Sequence, residues 1–293
     1  MAHGRAVSLE GPCVVAILNT TPDSFYDGGT LQDVDAAVLR ARQAARDGAA
    51  MLDVGGESTR PGAERVSANV QIDRVVPVID AIRRCEVERV ANLPISVDTT
   101  LGEVAQAAID AGADAINDVS GGAEDPTLLD VAARNRAGLV LMHRGPAPPE
   151  DRYADEYEHE PVYPDGVVNA VREALSACAR RAVEAGIATN SIVIDPGLGF
   201  GKSVEQNLEL VRRLDELTTL GFPVYVGASR KRFVGRVSIG PDSKPADRLA
   251  GSLAITVLAA QRGGLLHRVH DVAEHVQALS VLGAWNAGGQ HGV

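Results

Sequence analysis

Short apolar runs alternate with longer amphipathic segments along most of the chain. The runs are rich in β-branched residues, and Gly, Pro or a polar residue follows each of them. Because they are continuously apolar, they are typical of strands that are buried on both faces of a sheet. The pattern predicts eight strands, at residues 14–18, 51–54, 95–97, 115–117, 139–142, 192–195, 224–227 and 265–269.

The segments between these runs predict helices. In residues 166–185 apolar side chains recur at steps of three and four, which places them on one face of a helix. Residues 204–217 and 245–262 follow the same pattern. Residues 144–165 depart from it, because they are rich in Pro and acidic residues and hold three of the five tyrosines. We expect an irregular excursion there, after the fifth strand.

Eight strands alternating with eight helices over roughly 250 residues predict an α/β protein with a single (β/α)8 TIM barrel. A doubly wound open sheet is the alternative, since alternation by itself does not decide whether the sheet closes. The predicted organisation is an N-terminal segment at 1–12, the barrel at 13–283 and a flexible, glycine-rich tail at 284–293.

Composition and charge narrow the class of protein. The 293 residues are 45% hydrophobic, which is enough to build a buried core and excludes disorder as the main state. With 28 Lys and Arg against 39 Asp and Glu, the net charge is −11. This charge argues against a general binder of nucleic acid or of anionic membranes. An anionic ligand would need a local cluster of positive groups.

The expected location follows from the lengths of the apolar runs. All of them are much shorter than the ~20 residues that span a bilayer, and the first residues are polar where a secretion segment would be apolar. We therefore expect a cytoplasmic protein without a membrane partner. Cys13, Cys85 and Cys178 are scattered and odd in number, which argues against a disulfide framework or a cysteine zinc site.

Polar side chains stand at the ends of six predicted strands. They are Asn19, Asp53, Asp98, Asn117, His143 and Asp195, and the last strand ends in Arg268-Val269-His270. In a (β/α)8 barrel the active site lies at the carboxyl ends of the strands. Each side chain alone could simply cap the next helix or set a turn. Six together favour the pocket of a polar ligand, because buried carboxylates need partners.

The loop at 195–202 contains three glycines and a lysine, which invites a nucleotide-binding interpretation. A Walker A loop requires Gly at the position that Pro196 occupies, so the register fails by one residue. The dinucleotide-binding pattern fails as well, since the third glycine comes too early. The sequence therefore predicts neither ATP nor dinucleotide binding at this loop.

Seven motifs resemble those of the dihydropteroate synthase family and occur in that family's order. They are Asn-Thr-Thr-Pro-Asp-Ser-Phe at 19–25, Asp-Val-Gly-Gly-Glu-Ser-Thr-Arg-Pro-Gly at 53–62, Ser-Val-Asp-Thr at 96–99, Ile-Asn-Asp at 116–118, the loop at 195–202, Ser-Arg-Lys at 229–231 and Arg-Val-His-Asp at 268–271. The resemblance implies a (β/α)8 transferase of folate biosynthesis that condenses 6-hydroxymethyl-7,8-dihydropterin pyrophosphate with p-aminobenzoate. It also implies release of pyrophosphate and inhibition by sulfonamides.

The resemblance implies a pterin pocket at the strand ends. Its residues would be Asp98, Asn117, Met142, Asp195 and Lys231. The chemistry supports this assignment independently, because the amide edge of a pterin presents several N–H donors and a carboxylate is an acceptor-only group.

The resemblance also implies a pyrophosphate site, formed by Arg60, Arg268 and His270, with Asn19 binding through Mg²⁺. Mg²⁺ commonly takes few protein ligands and bridges substrate phosphate oxygens. Such a clamp is the local positive cluster that an acidic chain needs for an anion. The residues expected to promote the reaction are Arg268, Lys231 and Asn19, with no tuned general base.

For p-aminobenzoate the resemblance implies Phe25, Thr59, Pro61 and Phe200, and it implies a homodimer formed through the late helices. Other prominent residues receive structural interpretations. Lys202, Arg230 and Arg232 are expected to be solvated or structural, and His143 to orient its neighbours.

Two other functions compete with the synthase. A corrinoid-linked methyltransferase also binds a pterin through Asp and Asn residues, but it would not need the pyrophosphate set of Asn19, Arg60, Arg268 and His270. A non-catalytic pterin-binding relative is the other alternative, and a pyrophosphate-release assay separates it from an enzyme.

Overall fold

The computed structural model describes residues 2–20 and 31–288, and side chains from residue 34 in the second range. Within these residues, eight parallel strands close into a barrel in chain order, and β8 pairs with β1. The strands are β1 (Cys13–Asn19), β2 (Met51–Gly55), β3 (Ile95–Asp98), β4 (Ala115–Asp118), β5 (Gly138–Met142), β6 (Ile192–Asp195), β7 (Val224–Val226) and β8 (Gly264–Val269).

Helices surround this barrel. Those of the described ranges are α1 (Leu31–Asp47), α2 (Ala68–Arg83), α3 (Glu88–Ala91), α4 (Gly102–Asp110), α5 (Thr127–Asn135), α6 (Val167–Glu184), α7 (Val204–Arg212), α8 (Asp215–Thr218), α9 (Arg232–Ser238), α10 (Leu249–Gln261) and α11 (Val272–Gly288). Short 3₁₀ turns at Thr189–Ser191 and Pro245–Arg248 precede β6 and α10.

The barrel prediction is confirmed, and the open-sheet alternative is wrong. All eight predicted strands are present, with ends that differ by one residue at most. The helix count is higher than the predicted eight, partly because residues 204–217 form two helices. The backbone leaves helical geometry at Arg213, with φ of −116°, and the Arg213 side chain donates to Glu209 before the break and to Glu216 after it.

The structure describes most of the predicted N-terminal segment and the first half of the predicted tail. Residues 2–12 of the predicted N-terminal segment pack on the lower end of the barrel, where the strands begin, and Arg5 forms an ion pair there with Asp114. The predicted tail at 284–293 begins within a helix, and its residues 289–293 lie outside the described residues. Helix α11 continues to Gly288, because Leu279 and Leu282 are buried against the barrel and the residues after them continue the same helix.

Side chains fill the barrel interior below its mouth. One layer comes from strands on all sides and packs as a cluster, which comprises Val15, Met51, Ala115, Val140, Tyr225 and Leu266. A larger apolar layer lies between the strands and the surrounding helices. The barrel is therefore a packed core, and ligands have access from its ends only.

The predicted excursion after β5 is confirmed as an irregular segment, since residues 143–166 contain neither helix nor strand. Buried Asp151 anchors it by accepting hydrogen bonds from Tyr157 Oη at 2.5 Å and from the Gly201 N–H at 3.1 Å. Tyr163 Oη donates to the Gly201 carbonyl at 2.7 Å. The excursion is thus fastened to the loop that follows β6.

In the ranges 2–20 and 31–288, no helix combines the length and the apolar character that crossing a membrane requires.

Candidate active site

Strand register brings the predicted site residues to one level of the barrel. Asn19 of β1 lies beside Gly55 of β2, Gly55 beside Asp98 of β3, and Asp98 beside Asn117 of β4. Gly55 leaves room between its neighbours, because a Cβ there would come within 3.5 Å of Asn19 Oδ1 and 3.4 Å of the Asp98 Cβ. Four adjacent strands therefore present their polar ends to one space.

That space is a cavity of about 480 Å³ at the carboxyl ends of the strands. Twelve of the thirteen predicted site residues line it, namely Asn19, Thr59, Arg60, Pro61, Asp98, Asn117, Met142, Asp195, Phe200, Lys231, Arg268 and His270. The thirteenth, Phe25, lies outside the described residues. The residues assigned to three ligands from sequence thus share one cavity.

Two buried carboxylates dominate the inner end of the cavity. Asp98 Oδ2 accepts from Arg268, whereas Asp98 Oδ1 is buried and has no hydrogen-bond partner among the described residues. Burial raises the pKa of Asp98 to about 7, against the opposite effect of Arg268. Burial also raises the pKa of Asp195, whose Oδ1 accepts from the Gly197 N–H at 2.7 Å. An unpaired buried acceptor is costly, so this end is suited to a ligand with several N–H donors.

Lys231 connects the inner end to the aromatic wall. Its ammonium donates to the Leu198 carbonyl and lies 4.3 Å from the centre of the Phe200 ring. Burial lowers the pKa of Lys231 to about 8, and the nearby carboxylate of Asp195 opposes that shift. Phe200 packs in turn against Met142 and Val119, which gives the cavity one apolar wall.

The cavity also carries positive charge, which lies next to Asp98 and at the rim. Arg268 Nε donates to Asp53 at 2.6 Å and Arg268 Nη2 to Asp98 at 2.9 Å. Arg60 is exposed at the rim. An anion that enters here meets guanidinium groups.

His270 also lines the cavity and lies near Arg268. Burial and the neighbouring Arg268 and Arg230 lower the pKa of His270 to about 3. Ser229 Oγ accepts from the His270 backbone N–H at 3.2 Å and lies 3.1 Å from Nδ1. A hydroxyl both donates and accepts, so the direction of the hydrogen bond between Ser229 Oγ and Nδ1 follows the tautomer of the imidazole.

The donor set for a metal ion is small. Within 2–20 and 31–288 there is no cluster of three or more His, Cys, Asp or Glu residues that could hold a metal. Asn19 lines the cavity and has one carboxamide oxygen. This Oδ1 lies 3.5 Å from the point that a Cβ on Gly55 would occupy. Such a sparse set fits Mg²⁺, which keeps most of its ligands as water or substrate phosphate oxygens.

The β2 loop forms the outer wall. Thr59 and Pro61 line the cavity, and the Gly62 N–H donates to the Pro148 carbonyl of the excursion at 2.7 Å. Tyr153 and Ala154 of the excursion line the cavity too. Sequence reasoning missed these two residues, because an irregular segment has no periodicity that could indicate which side chains turn inward.

Lys202 is structural and is not solvated. It is fully buried, and its ammonium donates to the carbonyls of Phe200 at 2.8 Å and of Gly197 at 3.0 Å. It also lies 3.0 Å from His143 Nδ1, and burial together with Lys202 lowers the pKa of His143 to about 3. Neither Lys202 nor His143 lines the cavity.

Arg230 and Arg232, also expected to be solvated or structural, both line the cavity and are engaged in ion pairs. Arg230 donates to Asp271 at 2.9 Å, and Arg232 lies 2.9 Å from Asp155 of the excursion.

The glycines of the loop at 195–202 serve packing. Gly197 has φ of +66°, and a Cβ there would lie 1.8 Å from the His143 carbonyl oxygen. Gly199 has φ of +82°, and a Cβ would lie 2.9 Å from Lys231 Cδ. These positions need glycine because of the local backbone, which accounts for the motif without a nucleotide.

Asp53 is a further residue, besides Tyr153 and Ala154, whose role the sequence did not identify. It is fully buried beneath the cavity, and its carboxylate accepts from Ser96, Asn117 and Arg268. The strand-end pattern included Asp53, but the resemblance assigned no ligand to it.

Comparison with known proteins agrees with this geometry. The family model of pterin binding enzymes matches residues 15–270. Dihydropteroate synthase of Mycobacterium leprae is 43% identical over 282 residues, which cover 95% of each chain. The structure of the Xanthomonas albilineans enzyme in complex with 7,8-dihydropteroate superposes with a TM-score of 0.81 at 41% identity, over 98% of both chains.

A third relative adds a drug complex. The structure of Yersinia pestis dihydropteroate synthase with a sulfonamide drug complex superposes with a TM-score of 0.85 at 38% identity, again over 98% of both chains. The chain therefore belongs to the dihydropteroate synthase family of pterin-binding enzymes.

Proposed function

We propose that this protein is a transferase of folate biosynthesis that joins 6-hydroxymethyl-7,8-dihydropterin pyrophosphate to p-aminobenzoate and releases pyrophosphate. The observation that carries the proposal is the presence of buried acceptors and of guanidinium groups in one cavity. The acceptors include Asp98 Oδ1, which has no partner among the described residues, and the cations are Arg268, which adjoins Asp98, and Arg60 at the rim. A pterin pyrophosphate has the complementary halves.

The inner end would bind the pterin ring. Asp98 and Asp195 accept hydrogen bonds from the ring's N–H groups, and Asn117 adds a carboxamide at the same level. Met142 and Lys231 contact the ring from the wall that carries Phe200. Because both carboxylates are buried, a ligand without these donors would leave them unpaired and bind weakly.

The positive side would bind the leaving group. Arg268, Arg60 and His270 donate to pyrophosphate oxygens, which stabilises the charge that develops as the group leaves. Bound Mg²⁺ would supply further neutralisation of that charge, and Asn19 is the residue that would hold it.

The bond changes are a substitution at the exocyclic CH₂ of the pterin. The amine nitrogen of p-aminobenzoate forms the new C–N bond, the C–O bond to pyrophosphate breaks, and the amine proton passes to solvent. An arylamine is a nucleophile without deprotonation, so positioning and leaving-group stabilisation suffice. Thr59, Pro61, Phe200 and, by resemblance, Phe25 would position the aryl ring.

A pyrophosphate-release assay tests the proposal. We expect release only when the pterin pyrophosphate, p-aminobenzoate and Mg²⁺ are all present, together with formation of 7,8-dihydropteroate. Release without p-aminobenzoate would indicate a hydrolase, and binding of the pterin without release would indicate the non-catalytic relative. Methyl transfer to a corrinoid would indicate the competing methyltransferase. A sulfonamide should compete with p-aminobenzoate and not with the pterin.

The late helices support a homodimer. Leu258 of α10 and Val281 and Trp285 of α11 are apolar and 50%, 71% and 76% exposed. Neighbouring exposed apolar side chains of this size are typical of protein interfaces. We expect sedimentation at twice the mass of the 30.7-kDa chain, and the variant Trp285→Glu should shift the equilibrium toward monomer. A monomer at high concentration would refute the dimer.

A further inference from the structure

The buried carboxylate of Asp53 contacts two of the predicted ligand residues at once. Its Oδ2 accepts from Arg268 Nε at 2.6 Å and from Asn117 Nδ2 at 3.2 Å. Its Oδ1 accepts from Ser96 Oγ at 2.5 Å. The side chain is inaccessible to solvent and does not line the cavity, so it cannot itself contact a substrate.

We infer that Asp53 is a positioning residue that sets the orientation of Arg268 and of Asn117 and thereby joins the pyrophosphate and pterin sites. The inference rests on the proposed function and concerns residues that do touch the substrate in it. Two separate consequences follow from the acceptor-only chemistry of a carboxylate.

The first consequence concerns Asn117. A carboxylate only accepts hydrogen bonds, so the carboxamide must turn its Nδ2 toward Asp53. Its Oδ1 is then available to the cavity. Asn117 therefore presents an acceptor to the pterin, as Asp98 and Asp195 do, and the three side chains match a ligand edge made of donors.

The second consequence concerns Arg268. Its Nε–H edge faces Asp53, and its Nη2 donates to Asp98 at 2.9 Å. Within the described residues these are the hydrogen bonds that Arg268 makes, so the Nη1 end remains for an anion. Asp53 lies 215 residues away in sequence but holds the inner edge of the guanidinium at the floor of the cavity. The outer edge can then exchange partners while the group stays in place.

The test is the variant Asp53→Asn, which keeps the shape, removes the negative charge that pairs with Arg268, and places an NH₂ donor against either Ser96 or the donors of Arg268 and Asn117. Three constants are measured: the dissociation constant of 6-hydroxymethylpterin, the inhibition constant of pyrophosphate and the KM of p-aminobenzoate. We expect the first two to rise about tenfold or more, the size expected for losing a charge-assisted hydrogen bond, and the third to change little.

The matched control is Asp114→Asn. Asp114 is equally buried and is also paired with arginines, Arg5 and Arg83, but it lies at the opposite end of the barrel. This variant should lower stability and leave all three constants unchanged. The inference fails if folded Asp53→Asn binds pterin and pyrophosphate like the wild type, or if all three constants rise together.

A second measurement does not depend on folding of the variant. In wild-type protein with ¹⁵N-labelled arginine, the Arg268 Nε–H should exchange slowly and keep its resonance position when pyrophosphate binds, while its Nη resonances shift. An Nε–H that exchanges as fast as that of an exposed arginine would overturn the inference. If wild-type protein releases no pyrophosphate from the two substrates, the proposed function fails instead, so the two failures are distinct.

Discussion

Two buried clusters of aspartate and arginine stand at opposite ends of the barrel. The lower cluster joins Asp114, which directly precedes β4, to Arg83 of α2 and to Arg5 of the N-terminal segment. The upper cluster joins Asp53 of β2 and Asp98 of β3 to Arg268 of β8. Both use the same residue types at similar distances, and they differ in completeness.

The lower cluster is saturated. Asp114 Oδ1 accepts from Arg5 at 2.9 Å, and Oδ2 accepts from Arg83 at 2.7 Å and from the Ile95 N–H at 2.9 Å. Arg83 uses its other N–H groups on the backbone carbonyls of Gly112, Ala91 and Leu93. Both carboxylate oxygens of Asp114 and all three guanidinium nitrogens of Arg83 are engaged within the protein, so the contribution of this network is to stability.

The upper cluster is left open. Asp98 Oδ1 is buried and has no partner in the parts of the chain that the structure describes, and the cavity begins where that network ends. A half-satisfied buried network is less stable than a complete one. In this barrel an incomplete polar cluster thus marks a binding site, whereas a complete one of the same composition marks a structural element.

Replacing the arginine of each cluster should give the largest difference in turnover between the two. Arg268→Gln removes the positive charge beside the leaving group, and we expect turnover to fall about 10²–10³-fold, as for the loss of a key electrostatic donor. Arg83→Gln in the lower cluster should leave turnover per folded molecule unchanged. Steady-state pyrophosphate release measures both, and equal losses would show that the clusters do not differ in function.

The lower cluster should matter most for the stability of the fold. Asp114→Asn breaks a saturated buried network and leaves two arginines without their partner, so the free energy of unfolding should fall by about 3–5 kcal/mol. Asp80→Asn, in the exposed pair with Arg84, should change it by about 0.5 kcal/mol or less. Urea denaturation measures both. A small loss for Asp114→Asn would mean that the lower cluster is not a stabilising element.

The open cluster should also respond to pH. The pKa of Asp98 is raised by burial to about 7, so below that pH the folded protein increasingly protonates it. A protonated carboxyl loses acceptor capacity, and pterin affinity should therefore fall toward lower pH, by up to about tenfold per pH unit. Binding to Asp98→Asn, corrected for titration of the pterin itself, should lack this dependence. A wild-type affinity that is flat between pH 5 and pH 8 would contradict the assignment.

The raised pKa of Asp98 also determines whether its contribution to stability rises or falls with pH. The carboxyl titrates at about 7 in the folded chain and near 3.9 when unfolded, so the folded state binds the proton more tightly. Its stabilising contribution is full at low pH and declines as pH rises to about 7. Asp98→Asn should therefore gain stability relative to wild type as pH increases from 4 to 7.

Much of the site could be predicted from sequence because the barrel converts order along the chain into position. Each strand end lies at the mouth, so Asp98 and Asn117, which are 19 positions apart, become neighbours through register alone. The family's motifs then supplied ligands for those positions.

The remaining features depend on contacts that no local pattern encodes. The bond between Asp53 and Arg268 spans 215 residues and requires the closure of β8 on β1 before the two side chains meet. Tyr153 lies in an irregular segment whose path is fixed by Asp151 and by Tyr163 contacts to Gly201. Long-range hydrogen bonds of single side chains decide these positions, and hydrophobic periodicity carries no information about them.

The smallest expected effect concerns the ion pairs of Arg65 at the rim of the cavity. Arg65 donates to Glu57 at 2.9 Å and to Glu124 at 2.7 Å, and it is a third exposed. It fastens the loop that carries Thr59 and Pro61 over the cavity. Exposed ion pairs contribute about 0.2–1 kcal/mol each, so Arg65→Gln should raise the KM of p-aminobenzoate only about two- to fivefold and leave kcat unchanged.

Added salt provides the internal check on this rim contact, because it screens partly exposed pairs. The wild-type KM for p-aminobenzoate should rise with ionic strength toward that of Arg65→Gln, while the variant should change less. Arg84→Gln removes an exposed pair on α2, between Arg84 and Asp80, and should behave like wild type throughout. If Arg65→Gln lowered kcat as strongly as Arg268→Gln, the loop would belong to the open cluster itself, and the boundary between binding site and scaffold would have to be drawn further out.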